Sequence, residues 1–311
     1  MKILLTTTSF QDTPGKHHEL LNSSGFEVDK LRGPVTEEVL LPIIKNYDGV
    51  ICGDDDYTEK VIKEGKSGKL KVISKYGIGL DRIDLKAAKE NGIIVCNTPG
   101  INHTTVAEHT LALLLSFIKN VHKEHNFTQR GEWSRMIGTE LLGKTAGIIG
   151  LGKVGKEVAK RLIAFGVKVI AFDLFYDEDF LSKHNINKAS SIKELVSEVD
   201  VISINAPLTK ETRNLINEDV VQNHMKKNMI IVNTSRAAII NLDALINGLE
   251  FKILKGYLTD VLEEEPMIEN HPLLKYDNVI ITPHIGSRTY ENVEKQGCKS
   301  ILNLIESLSE K

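Results

Sequence analysis

The chain has 311 residues, more than one ordinary core accommodates, so two domains are expected. Hydrophobic residues at 41% and charged residues at 26% are ordinary globular values and exclude a largely disordered chain. Lys and Arg number 39 against 42 Asp and Glu, and a net charge of −3 makes nucleic acid a poor partner.

From the N-terminus, Met1–Leu5 passes straight into Thr6-Thr7-Thr8, too short an apolar stretch for a signal peptide. The longest greasy run, Leu111–Leu115 with Phe117-Ile118 beyond, is too short to span a bilayer. Cys52, Cys96 and Cys298 are widely spaced and odd in number, which argues against a disulfide framework or a zinc site and for buried, inert thiols. A cytoplasmic protein with no membrane partner and no metal is expected.

Short β-branched runs alternate with helical patterns, the grammar of a parallel sheet. Lys2–Leu5, Gly49–Cys52, Val72–Ser74 and Ile93–Cys96 read as a first series of strands. A long helix, roughly Thr104 to Lys123, precedes a second series: Thr145–Ile149, Val167–Phe172, Val201–Asn205, Met229–Asn233, Leu254–Tyr257 and Val279–Ile281. The last thirty or so residues are helical again. The expected fold class is α/β: two doubly wound parallel-sheet domains, Rossmann-like or flavodoxin-like, with an active-site cleft between them.

The sharpest local motif is Gly150-Leu151-Gly152-Lys153-Val154-Gly155, led in by the strand Ala146–Ile149 and out by a helical pattern. In that setting Gly150 permits the tight turn, Gly152 lets a pyrophosphate approach the backbone, and Gly155 allows helix to pack on strand. Asp173 ends the next strand, where its carboxylate suits a ribose diol and repels a 2′-phosphate. No Arg follows in Leu174-Phe175-Tyr176, so NAD is expected rather than NADP.

Hydride transfer on a hydroxy or oxo acid needs a cation, an acid/base and a partner that tunes it. Arg236 follows the strand Met229–Asn233 and His284 follows Val279–Ile281, both at carboxyl ends. Glu265, after the strand holding Tyr257, is a candidate carboxylate partner for an imidazole. Bland readings stand beside these: a solvated loop Arg, a capping His, an exposed acidic turn at Glu263-Glu264-Glu265, and Asp260 as a helix cap.

Taken together, the residues resemble the D-isomer-specific 2-hydroxyacid dehydrogenase family, and within it the short phosphoglycerate-dehydrogenase-like enzymes. The matching blocks begin after Val50 with Lys75-Tyr76-Gly77-Ile78-Gly79-Leu80-Asp81, Asn97-Thr98-Pro99-Gly100 and Val106-Ala107-Glu108-His109. They continue through Gly131-Glu132-Trp133, the glycine loop, Ala206-Pro207-Leu208-Thr209 with Thr212, and Asn233-Thr234-Ser235-Arg236. Glu264-Glu265-Pro266 and Pro283-His284-Ile285-Gly286 complete the set.

The resemblance implies that Arg236, Glu265 and His284 are catalytic, with Arg236 orienting the 2-oxo acid and His284 exchanging a proton beside Glu265. Substrate would be held by Gly77, Ile78 and Gly79 with Arg236 and His284. Around NAD it places Val106, Gly150, Gly152, Lys153, Val154, Gly155, Asp173, Ala206, Pro207, Thr212, Thr234, Ser235, Arg236, Asp260, His284 and Gly286. It implies a substrate-binding domain of residues 1–99 completed by 284–311, an NAD-binding Rossmann domain of 100–283, and a homodimer in which 101–142 embraces the partner. The function implied is interconversion of a small D-2-hydroxy acid and its 2-oxo acid.

Two departures matter. Phosphoglycerate dehydrogenases carry cations after the second predicted strand, whereas here the stretch reads Gly53-Asp54-Asp55-Asp56-Tyr57-Thr58. Three carboxylates would repel a phosphate unless Arg82, Arg135 or Arg288 compensates, or they are merely solvated loop charges. Ala237-Ala238 also stands where many relatives have Gly-Gly, and a Cβ there would narrow the nicotinamide pocket or alter the turn. The sequence stops at Lys311, so the regulatory domain of longer phosphoglycerate dehydrogenases is not expected. Hydroxypyruvate or glyoxylate reduction is the alternative activity, and an NADH-responsive, corepressor-like binding protein is the alternative class.

Overall fold

A computed structural model describes residues 1–309. The chain forms two compact units: Met1–Asn102 together with the segment from Ser287 onward, and His103–Gly286. Residues 310 and 311 of the expected segment 284–311 lie outside the described residues.

The first unit is a five-stranded parallel sheet. Its strands are β1 (Lys2–Leu5), β2 (Glu27–Lys30), β3 (Gly49–Cys52), β4 (Val72–Lys75) and β5 (Ile94–Cys96), in the order β2-β1-β3-β4-β5. The inner strands are apolar on both faces because helices cover both. One face carries the long C-terminal helix Tyr290–Ser309, which buries Ile301, Leu304 and Leu308 against Ile3, Leu5, Ile51 and Val72. Gly49 lets the helix pack closely there, since a Cβ would sit 2.7 Å from the Leu304 side chain and force it to shift. Ser74 Oγ donates to Ser300 O (2.8 Å) and ties the same helix to the sheet.

The second unit is a seven-stranded parallel sheet. In chain order its strands are β6 (Thr145–Ile149), β7 (Lys168–Phe172), β8 (Asn187–Lys188), β9 (Val201–Ile204), β10 (Met229–Asn233), β11 (Leu254–Thr259) and β12 (Val279–Ile281). Their spatial order is β12-β11-β10-β9-β6-β7-β8. The chain leaves β6 toward one edge and returns to build the other side at β9, so the switch point lies between β6 and β9. Loops after the carboxyl ends of the strands on either side of such a point form a ligand crevice.

Strands β2 and β8 escape a reading based on apolar runs. Both are edge strands, β2 carries Glu27, Asp29 and Lys30, and β8 has two exposed residues. The expected helix from Thr104 to Lys123 is two helices, His103–Ile118 and Val121–Gln129. Asn120 separates them in the left-handed region at φ 56°, a conformation Asn tolerates at helix ends. The thiols are likewise uneven: Cys52 is fully buried and its pKa is pushed far up by that burial, whereas Cys96 and Cys298 are only half-buried. Among the described residues no helix is long and apolar enough to cross a membrane, and no group of His, Cys, Asp or Glu is arranged to hold a metal.

Candidate active site

The glycine loop links β6 to the helix Lys153–Ala164. Gly150 has φ 88°, and a Cβ on it would meet Ala206 N at 2.6 Å, so the loops after β6 and β9 close on each other there. A Cβ on Gly155 would run into Gly150 O, whereas one on Gly152 would meet nothing within 4 Å. The helix begins at Gly152 without any side-chain cap, which leaves its first N–H groups and their positive potential to an anion. Asp173, at the end of β7, accepts from Leu151 N (2.5 Å) and from Phe175 N (3.2 Å).

The loops after β9 and β10 are tied together. Ser235 Oγ donates to Ala206 O, and Ser235 N donates to Asn233 Oδ1 (3.0 Å). Thr212 Oγ1 donates to Pro207 O (2.6 Å), and Thr234 Oγ1 bonds Thr110 Oγ1 (3.0 Å), itself anchored on Val106 O (2.9 Å). Arg236 is half-buried; its Nη1 donates to Ser235 O (2.8 Å), and Asn233 Nδ2 donates to Arg236 O (3.0 Å). The turn that follows is a short 3-10 helix, Ala237–Ile239, with no positive φ, so both alanines fit without strain.

His284 follows β12 and pairs through Nδ1 with Glu265 Oε2 at 2.7 Å. Glu265 Oε1 accepts from Leu262 N (3.0 Å), which orients the carboxylate. An ionised carboxylate can only accept, so the hydrogen of this bond is on Nδ1. His284 lies at φ 52°, a left-handed conformation that costs a non-Gly residue about 1–3 kcal/mol.

What holds it there is Asp260, at the end of β11 and 2% exposed. Its Oδ1 accepts from Ile285 N (2.9 Å) and Thr282 Oγ1 (2.6 Å), and its Oδ2 accepts from Gly286 N (2.7 Å). Burial raises the pKa of this carboxyl, but hydrogen bonds from His109, Thr282 and Ile285 outweigh that and leave it below the ordinary value. Asp260 therefore caps no helix. Ile285 and Gly286, which it holds, belong to the same compact unit as Asp260. His109, whose Nε2 lies 3.0 Å from Thr282 Oγ1 and 3.3 Å from Asp260 Oδ1, belongs to this cluster. Sequence reasoning assigned His109 no role, because its partners are more than 150 residues away.

In the first unit, the loop after β4 is pinned at Gly77, which is at φ 136° and exchanges hydrogen bonds with Thr98 (N to Oγ1 3.0 Å, Thr98 N to O 2.9 Å). Of the acidic triplet after β3, Asp55 is buried and its two neighbours are partly exposed ion pairs. Asp54 pairs with Lys75 Nζ at 2.6 Å, and Asp56 with Arg82 Nη1 at 2.8 Å. Asp55 is 1% exposed and accepts from Thr6 Oγ1, Val35 N (2.7 Å) and Gly53 N (3.2 Å). Burial raises its pKa. Arg288 donates to Thr8 Oγ1 at 3.0 Å, and Arg135 is exposed.

The family model described as D-isomer specific 2-hydroxyacid dehydrogenase, NAD binding domain, matches residues 111–286. The chain belongs to the D-isomer-specific 2-hydroxyacid dehydrogenases. This dehydrogenase is 36% identical over 278 residues to a glyoxylate reductase of Thermofilum pendens, covering 88% of its own length and 81% of the relative. It is 38% identical over 299 residues to a D-3-phosphoglycerate dehydrogenase of Methanocaldococcus jannaschii, covering 96% of its own length and 55% of the relative. The chain thus spans about half the length of that phosphoglycerate dehydrogenase. Among solved structures, the D-lactate dehydrogenase of Aquifex aeolicus complexed with NAD and lactic acid superposes with a TM-score of 0.85 at 27% identity, covering 100% of this chain and 96% of that one.

The cofactor of this dehydrogenase is NAD, and its residues fit that group. Gly152 leaves open the space that a pyrophosphate needs, beside an uncapped helix terminus. A carboxylate at the end of β7 suits the ribose. The residues expected around NAD from Gly150 onward lie on the loops that leave the carboxyl ends of strands of this sheet, or, for Lys153, Val154 and Gly155, in the first turn of the helix after β6.

Proposed function

We propose that this dehydrogenase interconverts a small, unphosphorylated 2-oxo acid and its D-2-hydroxy acid. One observation supports the substrate half of that reading: Lys75 and Arg82, cations at the end of β4 and after it, are already matched by Asp54 and Asp56. A phosphate ester bound by either of them would have to displace its carboxylate, at a cost comparable to the pair it breaks. This favours a hydroxypyruvate or glyoxylate reductase over a phosphoglycerate dehydrogenase.

Bound NAD supplies or accepts the hydride. His284 exchanges the hydroxyl proton at Nε2 while Glu265 holds Nδ1–H and fixes the ring. Arg236 presents its guanidinium to the oxo and carboxylate oxygens, and its backbone is fixed by Asn233. The amides of Ile78 and Gly79 hold the substrate carboxylate, on a loop that Thr98 pins at Gly77. The roles of Lys153, Val154 and Asp173 are to receive the pyrophosphate and ribose.

Initial rates of NADH oxidation against hydroxypyruvate, its phosphate ester, glyoxylate and pyruvate test the assignment, with NADPH as control. The expected result is a kcat/KM for an unphosphorylated acid at least about tenfold above that for the ester. Preference for the ester overturns it. Tight NADH binding without turnover of any acid would instead favour a corepressor-like binding protein.

The same reading makes the protein a cytoplasmic homodimer built around residues 101–142. Trp133, Ile137 and Leu142 are 81%, 96% and 72% exposed, apolar surface that a partner would remove from water. Light scattering is expected to give twice the chain mass, and a monomer overturns the assembly.

A further inference from the structure

We propose that Thr98 and Gln296 are positioning residues for substrate binding, which turn the amides of Ile78 and Gly79 outward to meet a carboxylate. This rests on the reading of those two amides as the cradle of the substrate carboxylate. The loop after β4 spends its neighbouring polar backbone atoms inside its own unit. Gly77 N donates to Thr98 Oγ1 (3.0 Å), and Gly77 O accepts from Thr98 N (2.9 Å) and from Thr98 Oγ1 (3.1 Å). Ile78 O accepts from Asn97 Nδ2 (3.0 Å). The amides of Ile78 and Gly79 donate to nothing among the described residues. A trans peptide is planar, and its C=O and N–H point in opposite directions. Pinning Gly77 O on Thr98 therefore aims the Ile78 N–H away from Thr98. Pinning Ile78 O on Asn97 does the same for the Gly79 N–H. Gly77, at φ 136°, permits the turn that presents both, and consecutive amides so presented form an anion-binding concavity.

Thr98 is fully buried and its hydroxyl is fully used. It donates to Gly77 O and accepts from Gly77 N and from Gln296 Nε2 (3.4 Å). Gln296 lies 198 positions further along the chain, on the helix Tyr290–Ser309, and is 1% exposed. Its Oε1 accepts from Asn292 Nδ2 (2.8 Å), which leaves the Nε2 end to face Thr98. Asn292 Nδ2 also donates to Ser287 O (2.6 Å). About two turns beyond Gln296, Asn303 Nδ2 donates to Asn97 O (2.9 Å). Side-chain amides on a helix face that otherwise buries Ile301, Leu304 and Leu308 cost free energy unless they are bonded. Gln296 and Asn303 find their partners in Thr98 and Asn97, the two residues that fix the substrate loop.

The test uses the full chain with Thr98→Val, Thr98→Ser and Gln296→Leu. Steady-state rates give kcat and KM for the best 2-oxo acid, and fluorescence gives NADH affinity. Inhibition by oxamate gives the affinity for a carboxylate whose neighbouring carbonyl accepts no hydride. Nitrogen-15 spectra of glycine-labelled protein without NAD follow the Gly79 amide, assigned by its loss in Gly79→Ala. Thr98→Val keeps the shape of the side chain and removes the hydroxyl. It is expected to raise KM and the oxamate inhibition constant together by about tenfold, with kcat and NADH affinity within about twofold. Gln296→Leu is expected to raise both about threefold, and Thr98→Ser to recover most of the loss. In Thr98→Val and Gln296→Leu the Gly79 signal is expected to move. A merely structural role would lower thermal stability and leave KM and oxamate inhibition within about twofold, which overturns the proposal. So does a Gly79 signal that stays in place, or a loss carried by kcat or by NADH affinity instead. If the unaltered chain neither turns over a 2-oxo acid nor binds oxamate, the functional reading fails on its own. The Gly79 signal needs no turnover and still decides whether Thr98 and Gln296 orient the loop.

Discussion

His284→Gln is expected to lower kcat by about a thousandfold while NADH affinity stays unchanged. The substitution keeps a polar side chain of similar reach but removes the only kind of group there that exchanges a proton near neutral pH. Glu265 would then lose its imidazole partner at 2.7 Å and stay held by Leu262 N alone. Arg236→Leu is expected to cost about a hundredfold or more, split between kcat and KM, because a guanidinium acts on both the bound acid and the developing charge. Stopped-flow and steady-state rates with the best acid from the panel check both variants. Turnover within about twofold of the unaltered chain in both would remove the assignment of these two residues to chemistry.

Two alanines in one loop are expected to fail in opposite ways. At Gly155 a Cβ runs into Gly150 O, a backbone atom that cannot swing aside, so Gly155→Ala should cost about 3 kcal/mol of stability. At Gly152 a Cβ meets nothing within 4 Å and the backbone is in an extended region open to any residue, so Gly152→Ala should melt where the unaltered chain does. If the space over Gly152 belongs to the pyrophosphate, the same methyl should still weaken NADH binding at least about tenfold. Thermal melts with NADH titrations separate the two effects. Unchanged NADH affinity in Gly152→Ala would show that the phosphates pass elsewhere.

The architecture was largely legible because its signals are local. Buried strands of a parallel sheet are apolar on both faces, so Val201–Ile204 and Met229–Asn233 announce themselves as unbroken runs. The strands that stayed hidden, β2 and β8, lie at edges where one side of the ladder faces away from the core, and polar residues serve there as well as apolar ones. The break at Asn120 was hidden for a related reason. Asn is tolerated in a helical pattern, and only the observed φ of 56° shows that it ends one helix and begins another.

The sequence by itself determined the glycine turn, the carboxylate after β7, and the placement of Arg236 and His284 at strand ends. Each follows from a run of neighbouring residues and the backbone shape they impose. The tertiary structure alone decided which charges meet. Asp54, Asp55 and Asp56 are consecutive and chemically alike, yet one pairs with Lys75, one is buried on Thr6 and Val35, and one pairs with Arg82. Asp260 reads as a helix cap as readily as a residue of the site until Ile285, Gly286 and Thr282 are seen to close on it. Such partners lie 20 or more residues apart along the chain, 173 in the case of His109 and Thr282. Periodicity and propensity act over a few residues, whereas the pairing of a buried charge depends on which strand ends the sheet order brings together.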